Sequence, residues 1–189
     1  KTSLVIYLDN KDLVPAGNLT NPVISSIFLR WDPASTSLPA GELEAAPEGA
    51  SPAFLVEAMR DPDGANLDRI QVVKGWTNDD GSAAEQVYDV SWSGDRQKDA
   101  KGKVPAVGNT VDIETASYSN SIGAPILSGY WQDPDFDPDH HAFYYVRVLE
   151  IPTPNWTTYD HVYLGVERSK KAVAFSQERA YTSPVWYTP

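Results

Sequence analysis

Apolar residues in this chain tend to recur at every second position rather than every third or fourth. No window of about 12 residues keeps an i, i+3, i+4, i+7 stripe free of Pro or Gly, so no amphipathic helix is predicted. The nearest helical candidate, Ser51–Met59, sets Phe54, Val56 and Ala58 against Leu55, Glu57 and Met59, which suits a strand at least as well. Strands are predicted at Ser3–Leu8, Val23–Trp31, Ala53–Arg60, Arg69–Trp76, Gln86–Trp92, Thr110–Ala116, Ile126–Trp131, Ala142–Ile151 and Pro184–Tyr187. Gly, Pro, Asn and Asp fill the intervals. Many short strands joined by turn chemistry predict an all-β sandwich or barrel, and the expected architecture is an immunoglobulin-like β-sandwich.

The alternation also assigns faces. In Gln86–Trp92, Tyr88, Val90 and Trp92 oppose Asp89 and Ser91, and in Thr110–Ala116, Val111 and Ile113 oppose Asp112 and Glu114. Both read as half-solvated strands. Ala142–Ile151 is apolar on both faces apart from Arg147, so it is expected to be central or covered by another element.

Three segments follow from composition. Residues 1–31 hold two strong strands and are expected to form a strand-bearing arm or hairpin. It either pairs within the same sandwich or adds to the sheet edge of a neighbouring copy, giving a homo-oligomer or filament. Residues 32–52, rich in Pro, Ala, Gly, Ser and Glu, read as a linker or long loop, and residues 53–189 as the sandwich domain. Within the latter, Trp92–Asn109 is an excursion of mixed charge.

The net charge of −11 argues against nucleic acid and anionic membrane surfaces as partners. No apolar run approaches the length of a transmembrane helix. The chain has no cysteine, which excludes disulfides, thiolate metal sites and a Cys nucleophile. It opens on Lys1 rather than Met, which predicts a removed leader or an upstream segment. The expected location is secreted, periplasmic or cell-surface. Sequons occur at Asn18 and Asn155.

Two acidic runs carry the candidate chemistry. Asp61, Asp63, Asn66 and Asp68 alternate around a Gly in the manner of a calcium loop, although the Gly falls early and no bidentate Glu follows. Asp-Pro-Asp-Gly is also an ordinary turn, and the turn is the favoured reading. Asp133, Asp135, Asp137 and Asp139 precede His140 and His141, and Ca²⁺ through the carboxylates is the ion such a run would hold. Against this, Pro134 and Pro138 stiffen the run, and adjacent histidines on an extended strand point apart, so a solvated loop is the expected reading. No zinc-hydrolase, nucleophile-elbow, Walker or dinucleotide motif is present, and no catalytic residue is assigned. The 6 Trp and 10 Tyr would suit either a core or a sugar-stacking platform.

From about Gly41 onward the chain resembles the C-terminal region of the domain-of-unknown-function 3604 family. The runs that carry this are GANLDRIQVVKGW (64–76), VYDVSWSGDR (87–96), VGNTVDI (107–113), NSIGAP (120–125), DPDFDP (133–138), FYYVRVLEIPTPNW (143–156) and QERAYTSPVWYTP (177–189). The resemblance implies a β-rich end that, in longer relatives, follows a PHP-like metallo-hydrolase region. The ligand-bearing region of that hydrolase has no counterpart here, so none of its residues transfers. The expectation is a non-catalytic secreted or surface module, structural or accessory, self-assembling by strand addition through residues 1–31. The alternatives are a fragment of a PHP-like metal-dependent hydrolase and a Ca²⁺-dependent or carbohydrate-binding module.

Overall fold

The computed structural model describes the backbone of residues 23–30 and 42–44 and the whole of residues 51–189. The strand expected at Ser3–Leu8 and the sequon at Asn18 lie outside the described residues. The described elements are β1 (Val23–Arg30), β2 (Glu42–Glu44), β3 (Ala53–Met59), β4 (Leu67–Thr77), β5 (Ala83–Trp92), β6 (Ile126–Gln132), β7 (Ala142–Glu150), β8 (Thr153–Pro154), α1 (Trp156–Leu164), β9 (Phe175–Ser176), β10 (Arg179–Tyr181) and β11 (Val185–Thr188). The protein is all-β.

Two sheets carry the fold. The smaller has the order β1-β3-β6, and both of its pairings are antiparallel. The larger runs β2-β11-β7-β4-β5, with β10 also paired to β7. Only β2 and β11 are parallel neighbours in it. Alternate residues of each sheet point inward and meet in one core. Phe54, Val56, Ala58 and Leu127 come from the smaller sheet; Leu67, Ile70, Val72, Tyr144, Val146, Val148, Val185 and Tyr187 come from the larger. Phe54 and Tyr144 are in ring contact across the layers at 5.3 Å. Burial of these faces supplies most of the driving force for folding.

As its two apolar faces predict, β7 is central, flanked by β4 on one side and by β10 and β11 on the other. The outer face of β4 and β5 is less open than alternation implies. Asp89, expected on a solvated face, is buried. The excursion after β5 folds back over it, and the Val104 N–H donates to Asp89 Oδ2 at 2.9 Å. Arg69 donates to the carbonyls of Val104 and Pro105 at 2.8 and 2.7 Å. Arg147 donates to Gln71 Oε1, and Gln71 donates to Asp89 Oδ1 at 2.7 Å, completing a polar chain across the sheet. Burial pushes the Asp89 carboxyl up, but the Val104 amide, Gln71, Arg69 and Lys103 outweigh it and hold the group below its ordinary value.

Two local expectations fail. Thr110–Ala116 is a turn closed by a bridge between Asp112 and Ser117, not a strand. Asp112 Oδ1 accepts the Glu114 N–H at 2.9 Å, offering the backbone an alternative to a ladder, and Ala116 takes φ 48° to close the loop. The apolar pattern does not predict the helix α1. Asn155 caps it by accepting the Thr157 N–H, and Gly165 ends it at φ 67°. The Asn155 sequon is therefore also a helix cap.

Candidate functional site

The two acidic runs meet different surroundings. In the first, Asp61 Oδ1 accepts the Asp63 N–H at 2.9 Å and the Gly64 N–H returns to the Asp61 carbonyl at 2.9 Å, forming a tight turn between β3 and β4. Asn66 is buried and donates to the carbonyls of Asn120 and Ile122 at 3.1 and 2.9 Å, pinning the β5–β6 connection. Asp68 is buried and accepts from Arg69 Nε at 3.1 Å and Gln177 Nε2 at 3.0 Å. Arg96 Nη1 lies 2.7 Å from Asp68 Oδ1, an ion pair off the hydrogen-bond direction, which leaves that oxygen without a hydrogen bond.

In the second run, Asp133 is buried against Lys74. The Lys74 ammonium lies 2.7 Å from Asp133 Oδ2, donates to the Asp135 carbonyl at 2.7 Å, and sits 5.2 Å from the centre of the Trp76 ring. The Tyr144 hydroxyl donates to Asp133 Oδ2 at 2.7 Å, and the Tyr88 hydroxyl donates to Asp135 Oδ2 at 2.8 Å. Burial and the neighbouring Asp133 push the Tyr144 hydroxyl up, so it remains a donor. Thus part of this proline-bounded loop wraps around a cation of the protein itself. Asp137 Oδ1 accepts the Asp139 N–H at 3.0 Å, and Asp139 is exposed. His140 Nε2 meets Asp79 Oδ1 at 2.9 Å, a contact that raises the imidazole pKa. Among the described residues no three His, Asp or Glu side chains converge to hold a metal ion.

A different arrangement occupies one end of the sandwich. The β3–β4 turn, the β5–β6 connection and the segment between β7 and β10 meet around a cleft of about 430 Å³. Asp61, Asp63, Glu150 and Glu178 line it with Tyr118, Trp156 and Tyr159, and no described lining residue is Lys, Arg or His. Glu150, the last residue of β7, is 2 % exposed, and its Oε1 has no hydrogen-bond partner. Burial, then the charges of Glu178 and Asp61, push its carboxyl up to about 8, so it is largely protonated at neutral pH. Burial also raises the Tyr118 and Tyr159 hydroxyls. Trp156 opens α1 and is 70 % exposed at the rim. Gly64 packs beside the acid: a Cβ there would stand 3.7 Å from Glu150 Oε1 and 3.0 Å from Asp61 Cβ.

Sequence reasoning singled out Asp61 and Asp63, which the fold brings to this cleft, and Asn66, Asp68, Asp133, Asp135, Asp137 and Asp139, which it does not. It missed Glu150, Glu178, Tyr118, Trp156 and Tyr159 as site residues. The available signal was a carboxylate closing a strand apolar on both faces, where burial shifts an acid most. A second cavity, of about 460 Å³, lies at the opposite end of β7 between Trp76, Phe143 and Trp186. There the Phe143 ring covers Gly75, where a Cβ would come within 2.4 Å of it.

The two facing sheets and the cleft formed by their connections define a β-sandwich module with a ligand-sized depression at its loop end. Residues 33–189 match the family described as "Protein of unknown function (DUF3604)", and the chain belongs to that family. No curated protein and no solved structure shows detectable similarity to the chain. Among the described residues no helix is long and apolar enough to cross a membrane.

Proposed function

We propose that this chain is a non-catalytic accessory module of a secreted or cell-surface protein, and that it works by binding at the loop-end cleft. The observation that carries this is Glu150 Oε1, buried without a hydrogen-bond partner in the wall of a cleft of ligand size. Leaving such an atom unsatisfied costs about 1–3 kcal/mol, so its retention calls for a ligand or another specific cause. The strand order supports an immunoglobulin-like assignment. β1 joins the smaller sheet and β2 the larger, while the β3–β4 and β7–β10 connections lie together at one end, as the binding loops of variable domains do. On the division into residues 1–31, 32–52 and 53–189, the first segment supplies β1 and the second β2. Among the described residues β1 is an edge strand, so a neighbouring copy can supply the same residues, and assembly by strand addition is part of this reading. Beside a PHP-like hydrolase region, the module would serve recognition rather than chemistry.

The test is turnover of phosphoesters and carboxylic esters by the intact chain with Mn²⁺, Zn²⁺ or Ca²⁺. No activity above that of metal in buffer is expected. Metal-dependent turnover abolished by Glu150→Gln would overturn the non-catalytic reading. Light scattering over a wide concentration range tests assembly, and a mass fixed at 20.8 kDa would remove it.

A further inference from the structure

We infer that the loop-end cleft receives a protonated aliphatic amine, its ammonium group paired with Glu150 in the negative field of Asp61 and Glu178 and its carbon chain covered by Trp156 and Tyr159. This names the ligand class of the cleft and rests on the binding reading above.

The first ground is the treatment of buried acids in the rest of the molecule. Four carboxylate side chains are buried among the described residues: Asp68, Asp89, Asp133 and Glu150. Asp68 has Arg69 and Arg96 beside it, Asp89 has Arg69, and Asp133 has Lys74. Glu150 has no ion-pair partner among the described residues, and its Oε1 has no hydrogen bond. Among the described residues, no cation like those that complete the other three stands beside Glu150, which lines the cleft. A cation supplied from outside is the complementary group.

The second ground is the lining. Asp61, Asp63 and Glu178 add negative charge, while the nearby Arg60 guanidinium is engaged with the Gly64 carbonyl at 2.7 Å. An anion would meet uncompensated repulsion. A bare divalent cation needs several carboxylates converging on one point, and these do not converge. A neutral sugar could stack on the rings but would leave the carboxylate repulsion unrelieved. An alkylammonium offers both a charge for the acids and an apolar body for Trp156 and Tyr159.

The third ground is an internal precedent. Lys74 is an alkylammonium held by the Asp133 carboxylate and the Asp135 carbonyl beside the Trp76 ring. The cleft presents the same kinds of group to solvent.

A protonated Glu150 must give up its proton to pair with an ammonium, so binding at neutral pH releases a proton to the buffer. Calorimetry of the intact chain at pH 7, in phosphate and in MOPS, tests this with cadaverine and with a peptide carrying one internal lysine. Saturable binding is expected, with heats that differ between buffers by up to one proton per amine. Glu150→Gln should abolish the proton release and weaken binding about tenfold or more. Trp156→Ala, at an exposed position that the fold does not need, should weaken binding without altering the melting temperature. Tighter binding of cadaverine supports a free diamine as ligand, and tighter binding of the peptide supports a protein lysine. Amine binding unchanged in Glu150→Gln would overturn the inference. So would saturation by cellobiose without proton release, which leaves a binding module standing. Silence toward both amines also overturns it, while metal-dependent turnover bears instead on the non-catalytic reading.

Discussion

Lys74→Met keeps the reach of the side chain and removes its charge. Lys74 is 4 % exposed and Asp133 3 %, so solvent replaces little of what is lost. Asp133 would keep the Tyr144 hydroxyl at 2.7 Å and the Asp135 N–H at 3.0 Å, but lose the ammonium at 2.7 Å. The Asp135 carbonyl would lose its 2.7 Å donor as well. Stranding one member of a buried ion pair costs about 3–5 kcal/mol. The two surviving donors to Asp133 place this substitution near the lower end, about 3 kcal/mol. For a chain of this length that lowers the melting temperature by about 6–12 °C. Asp133→Asn added to Lys74→Met removes the stranded charge, and the double variant should lose about 2 kcal/mol less than the sum of the singles. Urea unfolding followed by tryptophan fluorescence measures all four proteins, with an unchanged slope confirming a like-for-like comparison. A Lys74→Met chain within about 0.5 kcal/mol of the parent, or strict additivity in the double, would refute the reasoning.

Gly123 combines φ 77° with a hypothetical Cβ only 2.6 Å from Asn66 Cβ and 2.7 Å from Ile151 Cγ2. Gly123→Ala should therefore cost about 2–5 kcal/mol, whereas Gly94→Ala, at φ 70° with nothing within 4 Å, should cost only about 1–2 kcal/mol; equal urea midpoints would contradict this. The Glu150 carboxyl is raised from 4.5 to about 8, so the folded chain binds more protons than the unfolded one between those values. Its contribution is therefore fully present below about pH 4.5 and is lost as pH rises through about 8. Glu150→Gln should flatten the fall in stability across that window and be the more stable protein at its upper end. Parallel stability curves would count against it.

Alternation with turn residues at the ends located β3, β4, β5, β6, β7 and β11 to within about three residues, because those strands bury one or both faces. It misread Thr110–Ala116, where the Asp112 side chain takes over the backbone donors that a strand would need. It missed α1 because that helix has almost no apolar stripe to detect: Thr158 is its one buried residue. Asn155 and Gly165 marked its ends, but caps without periodicity are a weak signal. β2, β9 and β10 span two or three residues each, too short for any period. The acidic runs were visible as composition, but not what they face. Lys74 reaches Asp135 across 61 positions of sequence, and only the sheet order brings them together. Asp61 and Asp63 were legible as an acidic turn; that they line a cleft with Glu150 and Trp156 emerges only from the way the β7–β10 segment turns back over the β3–β4 turn.

The parallel pairing of β2 with β11 bears on how this module takes a mechanical load. Glu42–Glu44 run in the same direction as Trp186–Thr188 and bond to them in register. The chain therefore enters β2 and leaves β11 at opposite ends of one short ladder. Tension applied at Glu42 and Thr188 would pull these strands past each other and strain their hydrogen bonds together, in shear, rather than peeling them singly.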